Sequence, residues 1–285
     1  MKTKWVVWIF VIVAFIPRMY SQVHYLNLDD VDIVGNSNYV ISYDLTMAED
    51  SLRPQEKSHD VIILEIGDSF SKSYSHNIYR WDSAVTLSRR KGSVSENASR
   101  LEALLPIDVL KDYPKGKMKV YHRAPMTGPV FCYEEHMPMM KWRIEKERKE
   151  ILGYSCQKAV AVFRGRTWVA WFATEIAVPD GPWKFCGLPG LIVQVQDSKE
   201  HYVFCCKSVK VLHKEVVLPR YFYENSTRED VRDFMNQCYS DIYRYNRMNR
   251  VQSYVAKKDA SGKTVFEEVN EKEKRAVPYN PIELE

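Results

Sequence analysis

The chain has 285 residues, 45% of them hydrophobic, with 41 basic against 37 acidic side chains and a formal charge of +4. Residues 1–22 hold Lys2, Lys4 and Arg18 and no acid, so the remainder is nearly neutral and carries no general nucleic-acid footprint. That remainder is long enough to bury a full core, and its many tyrosines and tryptophans favour β structure.

Lys2 and Lys4 precede an apolar run over residues 5–16, after which Pro17, Arg18 and residues 20–22 restore polarity. This is the order of a secretory signal, and the run is short of the ~20 residues that a membrane helix needs. Cleavage is expected near Ser21 or Gln22, with an uncleaved anchor as the alternative. The first cysteine is Cys132, so no acylable residue stands at the cleavage point, and no later run is long enough to span a bilayer. The expected organisation is a signal peptide over 1–22, one β-rich domain over 23–250 and a charged tail over 251–285. The mature product is expected to be soluble, unlipidated and periplasmic or extracellular.

Residues 40–47 alternate as an opening strand, and "DVIILEIG" (60–67) reads as a more buried second one. Residues 68–88 suggest a helix, and 89–116 an irregular segment, partly helical through "LEALLPIDVLKDY". Strands are expected again at 117–124 and 130–138. "CQKAVAVF" (156–163), "RGR" (164–166) and "TWVAWFAT" (167–174) form a hairpin signature with Gly165 at the position needing special dihedrals. "LIVQVQD" (191–197) puts Leu191, Val193 and Val195 on one face and the glutamines on the other. A turn near Lys199 leads into 201–212 and would set Cys205 opposite about Val193. Ser226 and Glu229 make a capping-box pattern. Val231, Phe234, Met235, Cys238 and Ile242 then form one apolar stripe of a helix over 226–249. The fold class expected is α+β, mainly antiparallel β: a curved open sheet or partial barrel with a C-terminal helix packed on it.

"GPWKFCGLPGLIVQVQD" (181–197) concentrates large side chains between turns. Pro189 and Gly190 match the central positions of a type II turn, with positive φ at Gly190; Gly187 adds to this structural turn. In extended backbone Trp183 and Phe185 would face one way, Lys184 and Cys186 the other. "GLPGLI" (187–192) is the hexapeptide that names the GLPGLI family of exported bacterial proteins, which this chain resembles. The resemblance extends to "ILGYSCQKAVAVFRGRTWVAWFATEI" (151–176), and to "LEIGDSFSKSYS" and "NPIEL". It implies a signal peptide, a Gram-negative host and a β-rich exported domain. The family's biochemical function is not established and it defines no catalytic or binding residues to carry over.

Both faces of strand 167–174 are apolar, so each needs a cover. If the chain's own segments supply it, the core is two-sided. If they leave a gap, a groove lined by Trp168 or Trp171, near Trp183 and rimmed by Arg164, Arg166 and Lys184, suits an apolar ligand with an anionic end. His136 with the methionines of "EEHMPMM" (134–140) has the soft donors that copper(I) favours, set against packing of the methionines. Six cysteines permit disulfides, a thiol–imidazole pair or buried free thiols. "ASGKT" (260–264) lacks the first glycine of a phosphate loop, with Lys257 in its place. No cofactor and no catalytic residue is implied. The reading is non-enzymatic binding or assembly in the periplasm or at the outer membrane, with an apolar ligand or an envelope protein as partner. A thiol-dependent enzyme and a copper-handling protein are the alternatives.

Overall fold

The computed structural model describes residues 25–92, 105–125, 128–248, 253–258, 263–270, 272, 274, 276 and 279–285. The expected signal peptide and residues 260–262 of "ASGKT" lie outside them. Among the described residues, no helix is long and apolar enough to cross a membrane.

The chain runs through β1 (Val31–Asn36), β2 (Tyr39–Met47), β3 (Ser58–Ile66), β4 (Ser71–Ser75), α1 (His76–Arg90), β5 (Ile107–Lys111) and β6 (Lys117–Arg123). It continues through β7 (Val130–His136), β8 (Arg143–Ile151), β9 (Tyr154–Phe163), β10 (Arg166–Ala173), β11 (Leu191–Asp197) and β12 (Tyr202–Val211). β13 (Glu215–Pro219), β14 (Glu224–Asn225), α2 (Arg228–Ser240), α3 (Ile242–Met248), β15 (Tyr254–Lys258) and β16 (Thr264–Glu268) complete it. One sheet takes the order β14-β7-β6-β5-β4-β3-β2-β12-β11-β10-β9-β8, antiparallel except where β14 meets β7. This is the expected mainly antiparallel open sheet with helices near the C-terminus.

A sheet of this width has to curl to bury a face. β7 and β10 stand eight places apart in the order, which is ~38 Å across a flat sheet. Yet Arg164, in the turn between β9 and β10, donates to Glu135 of β7 at 2.5 Å. The inner face is therefore shared by distant strands: Tyr43 and Leu64 lie in one buried core with Val109, Val120, Trp168 and Phe204. Alternation turns Leu110 and Tyr121 to the outside, where they join Phe70 and Val216 in a second cluster. The β1–β13 pair, which contributes Val216, covers it.

Several local expectations shift. Residues 68–88 divide into β4 and α1, with Ser75 Oγ capping Ile78 N at 3.1 Å. Residues 107–111 form β5 rather than a helix, because Ile107 and Val109 alternate into the core after Pro106. The β9–β10 turn has positive φ at Arg164 as well as at Gly165, the pattern of a two-residue type I′ hairpin. Cys205 pairs with Gln194, one place from expectation, since the turn closes with Tyr202 N donating to Asp197 at 2.9 Å. Thr227, not Ser226, caps α2, accepting from Asp230 N at 3.1 Å. The single helix expected over 226–249 is broken at Asp241, while Val231, Met235, Cys238 and Ile242 keep the buried stripe. The edge strand β8, "RIEKERKEI", shows no apolar alternation; its charges discourage pairing with another sheet.

Candidate functional site

Residues 180–188 turn inward and fill the hollow of the curled sheet. Trp183, Lys184 and Phe185 are all within 1% of complete burial. Trp183 N donates to Ser73 Oγ of β4 at 2.9 Å, while its ring lies 6.0 Å from that of Trp168 on β10. Phe185 bridges Trp168 and Phe204, at 4.6 and 6.0 Å between centroids. The plug thus touches both halves of the sheet at once. Lys111 of β5 knots its two ends, pairing with Asp180 and donating to Gly181 O at 2.6 Å and Phe185 O at 3.3 Å. A buried ammonium is tolerable only when paired and hydrogen-bonded, so this lysine holds the plug in one conformation.

Lys184 is held the same way from the other side. Its Nζ lies 2.6 Å from Glu135 Oε2 and 2.6 Å from Glu283 Oε1. Arg164 and Arg228 crowd the same two carboxylates: Arg228 Nε stands 3.3 Å from Glu135, and Arg164 Nε 3.9 Å from Glu283. Glu283 belongs to the last residues of the chain, which the sequence places in a tail. Residues 279–285 instead lie as a strap against the sheet. Tyr279 stacks on Tyr239 at 4.2 Å. Asn280 accepts from Arg166 at 2.7 Å and donates to Ala48 O at 2.7 Å. Ile282 enters the main core, and Arg166 Nε donates to its carbonyl at 3.1 Å.

The expected groove residues therefore separate. Trp168 and Trp183 face inward and pack on each other, so the chain's own plug occupies the space that a ligand would need. Trp171 faces the opposite side of the sheet, half-buried, with Lys149 Nζ 4.2 Å over its ring. Lys184 and Arg166, expected at a rim, are buried; Arg166 pairs with Asp197 at 2.9 Å. Arg164 is the one of the three cations that keeps appreciable exposure. The partners Glu135, Asp197, Glu283, Arg228 and Lys111 went unrecognised, because burial of a charge depends on strands far apart in sequence. "NPIEL", noted only as a family feature, was the one available signal.

The turn at Gly187, Pro189 and Gly190 needs a correction. Gly190 does not adopt positive φ; Gly187 does, at 88°, and so does Trp183, at 50°. Gly190 N instead donates to Leu188 O at 2.8 Å, across Pro189, a tighter three-residue turn. Glycine is required at 190 because a Cβ there would stand 2.2 Å from Ala173 O and 2.9 Å from Thr174 Cα. The motif is a point where strand backbones touch.

Residues 164–194 match a family described as a protein of unknown function, Porph_ging. The matched span runs from the β9–β10 turn through the plug into β11. No curated protein matches the chain. Among solved structures, two of PNGF-II, in C2 and P21 space groups, are similar at 12% identity, with TM-scores of 0.47 and 0.46. They cover 80% and 79% of this chain, which spans only 36% and 35% of theirs. An uncharacterised conserved protein from Thermus thermophilus is similar at 10% identity and TM-score 0.29, covering 67% of this chain and 91% of its own.

The remaining chemistry is mostly withdrawn from solvent. All six cysteines are free, and burial raises each thiol above its ordinary pKa, Cys206 and Cys238 to about 12. An activated thiolate needs the opposite shift. Of the methionines near His136, Met137 and Met140 pack against the main core while Met139 is 94% exposed, so these thioethers are spread between core and solvent. Among the described residues, no group of three or more His, Cys, Asp or Glu side chains is placed to hold a metal ion. Among the buried titratable groups, burial lifts Asp60 to about 6, and burial with the Lys184 charge lowers His122 to about 4.

Proposed function

We propose that the chain is an exported, non-enzymatic binding or assembly protein of the periplasm or outer membrane, of the GLPGLI type. The observation that supports this reading is the plug. Trp183 and Phe185 occupy the hollow where a curled sheet would otherwise hold a substrate or an apolar ligand, and Lys111 and Lys184 fix them there. A partner then meets the outside of the domain, which favours an envelope protein over a small apolar molecule. The raised thiols argue against the thiol-enzyme alternative.

The test is native purification of the exported chain from the cell envelope, with chemical cross-linking, mass analysis and a thiol-reactivity profile at neutral pH. A stoichiometric protein partner and six slow thiols are expected. A partner-free chain with one hyper-reactive thiol overturns the reading and restores the enzyme.

A further inference from the structure

The strap 279–285 lies in its cleft as a ligand would. The cleft brings together four cations, Lys184, Arg164, Arg166 and Arg228, answered from the rest of the domain by Glu135, Asp197 and Glu229. One carboxylate is missing, and Glu283 of the strap delivers it, with Glu285 as a second polar anchor. Glu283 reaches Lys184 at 2.6 Å. Glu285 Oε1 accepts from Gly165 N at 3.0 Å, and its carbonyl from Arg228. Just before these polar anchors Ile282 fills an apolar socket in the main core.

The manner of the contacts is that of peptide recognition. The backbone carbonyls of residues 280, 281 and 282 all accept from fixed side chains: Tyr202 OH at 2.6 Å for Asn280, Arg166 at 2.5 Å for Pro281 and at 3.1 Å for Ile282. Such bonds hold any extended chain, while the pockets for Asn280, Ile282 and Glu283 select its sequence. Gly165 completes the cleft by its missing side chain. A Cβ there would stand 2.8 Å from Leu284 Cβ, so the hairpin turn is shaped to let an extended segment pass.

We propose that this cleft is a peptide-binding site held in a self-occupied state by residues 279–285. The partner that fits it is an extended segment of another envelope protein, carrying asparagine, then an apolar residue, then an acidic one. The inference deepens the binding reading above and rests on it. The tethered segment has the advantage of effective concentration, so a partner competes by offering a better match or by acting when the strap is drawn away. The cationic cleft makes association depend on ionic strength.

The experiment keeps the full chain, with a protease site inserted after Lys274, so that cutting leaves the strap held only by its contacts. A fluorescein-labelled peptide of residues 279–285, YNPIELE, is followed by anisotropy. The cut protein is expected to exchange its strap for the label, and the uncut protein to bind at least tenfold more weakly. Glu283→Gln in the peptide, or Arg228→Gln in the protein, is expected to weaken binding at least fivefold. Should cutting unfold the chain, the uncut Glu283→Gln variant serves instead; its weakened strap is expected to admit the wild-type peptide. No exchange by either protein at millimolar peptide, or equal binding of a shuffled peptide of the same composition, overturns the proposal. Envelope capture can fail while exchange succeeds, so the two readings fall separately.

Discussion

Gly190→Ala is the sharpest test of how the plug is joined to the sheet. Because Gly190 lacks positive φ, no dihedral penalty applies, and the cost has to come from contact. The added methyl would stand 2.2 Å from Ala173 O and 2.7 Å from Ala173 C, both well inside the ~3.5 Å of a comfortable contact. Both obstacles are backbone, so no side-chain rotation relieves them. The chain at 188–191 has to back away from β10, which strains the Leu191 N to Ile176 O bond of 3.0 Å and the pairing of Ala173 with Leu191. Two weakened backbone bonds at ~1 kcal/mol each, with ~1–3 kcal/mol of overpacking, give a destabilisation of about 3–5 kcal/mol. Gly187→Ala is the control. Gly187 has φ of 88° and nothing within 4 Å of an added Cβ, so it should lose only ~1–2 kcal/mol. Urea unfolding of both purified variants measures the difference. If Gly190→Ala lies within 1 kcal/mol of wild type, or costs less than Gly187→Ala, the close-approach explanation is wrong.

Lys184→Met leaves Glu135 and Glu283 facing each other without their shared ammonium, and chemical denaturation should show a loss of about 3–5 kcal/mol; adding Glu283→Gln should recover on the order of 1–2 kcal/mol. A thiol reagent at neutral pH should modify the half-buried Cys132 and Cys205 first, with all six reacting at once only after unfolding. For pH dependence Asp60 and His122 act in opposite directions. Asp60, at about 6 folded, takes up its proton more readily in the native state; its contribution grows as pH falls through 6, and Asp60→Asn should lose about 2 kcal/mol more than wild type between pH 7 and 4. His122, at about 4 folded, resists protonation that the unfolded chain accepts below 6.5; its contribution is lost over that window, and His122→Gln should retain about 3 kcal/mol of it. Urea midpoints across pH test both signs.

The elements that could be read from sequence are those whose pattern is local. The β9–β10 hairpin announces itself through Gly165 and alternation, and the α2 stripe through helical spacing. What escaped was set by partners distant in the chain. Nothing near Lys184 indicates that Glu135 and Glu283 converge on it, so an isolated cation among aromatics read as a rim. β8 carries no local signal because an edge strand buries little, and the charges that protect it erase alternation. At Gly190 the Pro-Gly pair fits a turn template, but the demand for glycine comes from the carbonyl of Ala173 on another strand.

A curled sheet that stays open has a hollow and a seam, and this chain fills both with its own segments. The hollow takes aromatic rings, which contribute burial wherever they pack. At the seam lie charges, and charges contribute stability only when each is matched. That difference separates the roles of plug and strap. The plug is tied into the fold by backbone bonds: Gly187 N to Pro179 O at 3.0 Å, Ile192 N to Asp180 O at 2.9 Å, and Trp183 N to Ser73 Oγ at 2.9 Å. It cannot leave without unravelling β11. The strap joins no sheet, and its anchors are largely side chains that stay with the domain. Removing it would strip Lys184 of one of its two carboxylates and Arg166 of its asparagine and carbonyl partners. Such a cleft has reason to be occupied at all times, by the strap or by something like it. Folding alone would have been served by apolar side chains on both sides of the seam. Four cations facing three acids of the domain leave a place for the carboxylate of Glu283; that makes the contact selective, and selectivity is what a binding surface needs.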